Sequence, residues 1–69
     1  MRKCRGEYVR FNNEENVYET VEFEEGMFHQ WGTESEELEN GVGSYMVGIV
    51  ELPDGKVIMP VASDIRFID

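Results

Sequence analysis

A chain of 69 residues with one cysteine, one histidine and fifteen acidic against six basic residues excludes more than it specifies. A single small domain buries only roughly 60% of its unfolded surface, and with Cys4 alone neither a disulfide framework nor a cysteine-based zinc site can make up the deficit. The formal charge of −9 argues against direct nucleic-acid binding, whose affinity comes from Lys and Arg neutralising phosphates, and against an anionic membrane surface.

The first residues, MRKCRGEYVR, are basic with no apolar run behind them and do not read as a signal peptide. The most apolar stretch, YMVGIV at 45–50, is too short to span a bilayer. A soluble cytoplasmic chain is expected, stabilised by a compact all-β core or by oligomerisation, with a homo-oligomer favoured.

In chain order, alternation dominates and helical periodicity is nearly absent. In EYVRF, Val9 and Phe11 share a face; in VYETVEF, Val17, Val21 and Phe23 share one and Tyr18, Thr20 and Glu22 the other. NNEEN at 12–16 between them is turn chemistry, because Asn tolerates left-handed φ and bonds nearby backbone, so a hairpin is expected. EEG at 24–26 reads as a turn into MFHQW, where Met27, His29 and Trp31 point one way and Phe28 and Gln30 the other. TESEELENGVGS at 33–44 has one large hydrophobe, Leu38, and reads as a short helical turn or an acidic loop closed by Gly41 and Gly43.

YMVGIVEL at 45–52 is apolar on both faces, as a central strand would be. LPDGK is a hairpin connection, with Pro53 presetting φ, Asp54 favouring the turn and Gly55 taking the left-handed position. Pro60 in KVIMPV breaks the ladder or marks an edge, and Ala62-Ser63-Asp64 suits one turn of 3₁₀ helix before a last strand, IRFID. Five or six short antiparallel strands arranged this way predict a single-domain, all-β, SH3-like barrel over residues 1–69, with an open antiparallel sheet as the alternative.

Catalytic constellations are missing. Ser44 in GVGSY lacks the nucleophile-elbow spacing, GVGS lacks the P-loop lysine, and the glutamates do not follow a calcium-loop pattern. The chain is expected to be non-enzymatic and to need no metal or cofactor. Charge, by contrast, is segregated. Residues 12–40 hold ten acids and no Lys or Arg, whereas the remainder holds six bases and five acids. A basic partner is favoured, at least in encounter rate.

GMFHQWGTE, then YMVGIVELPDGKV, then the end Ile65-Arg66-Phe67-Ile68 resemble small accessory proteins of phages and prophages of Gram-positive bacteria. In those a Gly-aromatic-His-x-Trp strand precedes a V-x-I-V-E-x-x-D-G-x-V hairpin and an isoleucine-lysine-phenylalanine-isoleucine-like end. The resemblance covers residues 26–68, leaves 1–25 unaccounted for and brings no catalytic residues. It implies a protein acting in the bacterial host cytoplasm, where such products often bind and blunt host factors, antiviral defences included.

Two expectations follow. In the first, Glu34, Glu36, Glu37 and Glu39 face a basic surface on a host protein and inhibit it, in the manner of an anti-CRISPR-like or DNA-mimic-like inhibitor. In the second, Phe28, His29, Trp31 and Tyr45, with Tyr18 available, stack on a nucleotide-derived immune signal. Cationic donors such as Arg66 then hold its phosphates, and the protein acts as a sponge. Against both stands the plainer reading that Trp31 closes the barrel mouth with His29 hydrogen-bonded beside it. A phage structural or assembly accessory is a further alternative.

Overall fold

The computed structural model describes the backbone of residues 2–38 and 41–68, and the side chains of 2–35, 41 and 43–68. Its elements are β1 (Arg2–Asn12), β2 (Val17–Leu38), β3 (Gly41–Glu51), β4 (Val57–Ile58), a 3₁₀ turn (Ala62–Asp64) and β5 (Ile65–Phe67). All pairings are antiparallel, in the order β4-β3-β2-β1-β5, and the sheet curls into a half-barrel. The all-β expectation is met.

The turns form where their residues demand. Asn12 Oδ1 accepts hydrogen bonds from the backbone N–H of Glu14 (3.0 Å) and Glu15 (3.2 Å), and Asn16 takes φ 56°. Those are the two capacities of Asn that suit it to closing a hairpin. In the second turn, Gly55 (φ 90°) donates to the Leu52 carbonyl and Lys56 N–H to Asp54 Oδ1. The 3₁₀ turn closes with Asp64 N–H on the Val61 carbonyl.

Two expectations are corrected. Residues 24–26 do not turn the chain, and residues 33–38 form neither helix nor loop: both belong to β2, which runs unbroken for 22 residues and pairs with β3 as far as Leu38↔Gly41. The register explains the first. Cys4 pairs with Gly26 but Gly6 with Phe23, so two residues of β2, Glu24 and Glu25, oppose the single Arg5. This is a β-bulge, which adds a residue, bends the strand and increases its twist. A second bulge falls at His29, because Phe28 pairs with Val50 and Gln30 with Ile49. Bending is unavoidable: a straight strand of that length would run about 70 Å, whereas the longest dimension of the molecule is 39 Å.

Each bulge shifts the inward-facing set by one residue. Phe23, Gly26, Phe28 and Trp31 therefore all face the concave side, although strict alternation would separate them. There Cys4, Phe23, Val50 and Ile58 are buried, with Tyr8, Phe28, Leu52, Ile65 and Phe67 packed around them.

After β4, residues 59–64 cross from one side of the half-barrel to the other. Val61 bridges Val47, Gly48 N–H donates to the Pro60 carbonyl, and Ile65 then pairs with Gly6. Pro60 is buried just past the ladder it ends. The crossing runs so close to β1 that a Cβ on Gly6 would lie 1.9 Å from the Asp64 carbonyl oxygen.

Candidate functional site

The central strand is the acidic one. β2 carries Glu19, Glu22, Glu24, Glu25, Glu34, Glu36 and Glu37 and no Lys or Arg, while neighbouring β1 carries Arg2, Lys3, Arg5 and Arg10. The two charges meet at the hairpin end, where Arg10 Nε lies 2.6 Å from Glu19 Oε1. The hydrogen bond from Arg10, with a longer one from Asn12, holds the Glu19 carboxyl below the usual carboxylate range, and the same contact raises Arg10. Among the described residues Glu22, Glu24, Glu25 and Glu34 make no ion pair with a base.

Of the four glutamates expected to meet a basic partner, Glu34 is half-buried and pairs across the sheet with Tyr45. Glu36 and Glu37 continue the same strand opposite Gly43 and Val42. Glu39 lies outside the described residues.

The five residues expected to hold a flat ligand are divided among four places. Phe28 and Trp31 do meet, edge to face with centroids 4.7 Å apart, and both contact Phe67; Arg2 lies 3.8 Å above the Phe67 ring. Trp31 remains 44% exposed, so it borders the core without being enclosed by it. The bulge turns His29 to the opposite face, where its Nε2 lies 3.0 Å from Glu51 Oε1. The expectation that His29 shares the Trp31 face is thereby corrected.

Arg66 is directly opposite Arg5 in the β1–β5 register. Like charges in that position are destabilising, and among the described residues neither has a carboxylate within ion-pair distance. The two border a cavity of about 410 Å³ that also receives Ser63, Glu7, Glu22, Glu24 and Asp64.

Tyr45 belongs to the fourth place. It lines a groove of about 430 Å³ with Tyr8 and Tyr18, the other two tyrosines of the chain. Among the described residues β5 pairs β1 over Cys4–Gly6, and no strand lies beside the edge of β1 beyond Gly6. The crossing residues Met59, Pro60, Val61 and Asp64 supply the far wall. Tyr8 was not singled out by the sequence; its role emerges only once strand register brings three distant tyrosines together.

Among the described residues no three of His, Cys, Asp and Glu cluster as metal ligands would. No protein-family model, curated protein or solved structure matches the chain.

Proposed function

We propose that this chain is a non-catalytic acidic binding protein of phage type, which docks on a basic surface of a host protein and inhibits it. The observation that carries the reading is the charge order of the sheet. The acids are strung along a single strand without intervening bases, and only Glu19 among their described side chains is neutralised within the molecule. Alternate residues of a strand are roughly 6.7 Å apart, and the glutamates of β2 fall in two short runs, 19–25 and 34–37, with no acid between them. Runs of that kind raise the encounter rate with a basic surface. The half-barrel, with a one-turn 3₁₀ helix before its last strand, supports the finer reading of the fold as SH3-like.

The experiment is capture from host lysate with tagged protein, washed at graded salt and read by native mass spectrometry. The expected result is a host polypeptide released as salt rises and absent when Glu34, Glu36, Glu37 and Glu39 are all replaced by Lys. Capture unaffected by salt and by charge reversal overturns the reading.

The unneutralised Arg5–Arg66 pair favours a second reading, the sponge for a nucleotide-derived signal, since two guanidinium groups on adjacent strands suit a phosphate. A bound mass of a few hundred daltons, lost with Arg66→Ala or Trp31→Ala, would support that reading instead. The four carboxylates bordering the same cavity oppose an anion there, and this ranks it second.

A further inference from the structure

We infer that the groove between Tyr8, Tyr18 and Tyr45 receives an arginine side chain of a basic polypeptide. The inference rests on the reading above that the partner is basic, and it adds a place and a chemistry to it. The three rings come from β1, β2 and β3 and border one cleft of about 430 Å³, within the size range of small-ligand sites. Its walls leave large apolar groups in solvent: Tyr18 is 76% exposed, Val9 62% and Met59 54%. A domain this small has little apolar surface to spare, so such a concentration marks a contact surface.

The charges around the cleft select its occupant. Among the described residues no Lys or Arg lines it, and Asp64 does. Glu34 stands directly across the ladder from Tyr45. An aromatic face attracts a cation through its quadrupole, and a guanidinium also stacks flat on it. The molecule already places cations on its own rings, Arg2 at 3.8 Å from the Phe67 centroid and Lys56 at 5.8 Å from that of Tyr8. A nucleotide would find rings to stack on but only Lys56, beside Tyr8, to meet its phosphate, and it would carry negative charge towards a protein of −9.

The test titrates the full chain, labelled with ¹⁵N and with ¹³C in its tyrosine rings, against the peptide acetyl-Gly-Arg-Gly-Arg-Gly-amide. The control is the same peptide with citrulline for arginine, which keeps the shape and removes the charge. The expected result is that the ring signals of Tyr8, Tyr18 and Tyr45 and the amide of Asp64 shift together with arginine. Binding should be at least tenfold weaker with citrulline. The double variant Tyr18→Ala, Tyr45→Ala should lose at least fivefold in affinity while keeping the dispersed amide spectrum of the fold. Shifts confined to the glutamates of β2, with a silent groove, overturn the inference and leave the acidic-strand reading standing. No response at any residue overturns both, and equal binding of the citrulline peptide overturns the assignment of a cation.

Discussion

Phe23 and Gly26 are three residues apart on one β-strand and face the same side of it: a Cβ placed on Gly26 would lie 3.0 Å from the Phe23 ring and 2.5 Å from Val50 Cγ1. A regular strand puts residues at that spacing on opposite faces. The bulge at Glu24 and Glu25 reverses the phase, the bulge at His29 reverses it again, and between them they bring Phe28 and Trp31 to the same concave side.

The close passage of Gly6 under Asp64 makes Gly6→Ala a test of how the half-barrel closes. The added methyl meets a backbone carbonyl, which cannot rotate away as a side chain can. Overpacking of this kind costs about 1–3 kcal/mol. Urea denaturation should show an earlier midpoint with an unchanged slope, and a midpoint equal to wild type would mean that the crossing segment yields freely.

Glu19 gives the acid limb of stability a specific contributor. Its carboxyl is lowered on folding, mainly by the Arg10 hydrogen bond. The paired form therefore adds stability that is fully present above the ordinary carboxylate pKa and is lost as pH falls through the lowered one. A carboxyl-carbon NMR titration should find the Glu19 midpoint below the ordinary carboxylate range, and Arg10→Gln should return it to that range. An unmoved midpoint would separate the contact from the shift.

Trp31 should be removable without unfolding the protein. It is 44% exposed and its main contact is an edge-to-face pair with Phe28, worth about 0.5–1.5 kcal/mol beyond the area buried. Trp31→Ala is expected to keep the amide spectrum and lower the thermal midpoint by a few degrees. Global loss of signal dispersion would place Trp31 in the core after all.

Cys4 is fully buried, and buried structural thiols are inert. A charged disulfide reagent should react with the native protein only at the rate at which β1 leaves the sheet, and at full speed in denaturant. Immediate reaction under native conditions would show that this end of β1 opens freely.

The sequence announced its turns and concealed its longest strand. Asn12, Asn16 and Gly55 each act through a local backbone capacity, so a short window suffices to read them. β2 defeats the same window. Its glutamates have low strand propensity, and a bulge leaves no mark beyond a lapse of alternation. Gly26 looks like a turn residue when it is there to let Phe23 and Val50 approach. The acid run was legible as charge, whereas its placement along one central strand was not. The tyrosine groove required the register of three strands and the path of residues 59–64, which no local pattern encodes.

The β1–β5 pairing has a consequence for how the chain folds. Among the described residues the other ladders join strands adjacent in sequence, and those of β1 with β2 and of β3 with β4 span turns short enough to form on the microsecond scale of hairpins. The contacts of Cys4 with Phe67 and of Lys3 with Ile68 instead bring together residues from the two extremes of the described chain, at the full entropic cost of that loop. Made before the hairpins, the seam would carry that whole cost, whereas after them only residues 59–64 remain to be closed, so it is expected to form once the acidic strand is already paired on both sides.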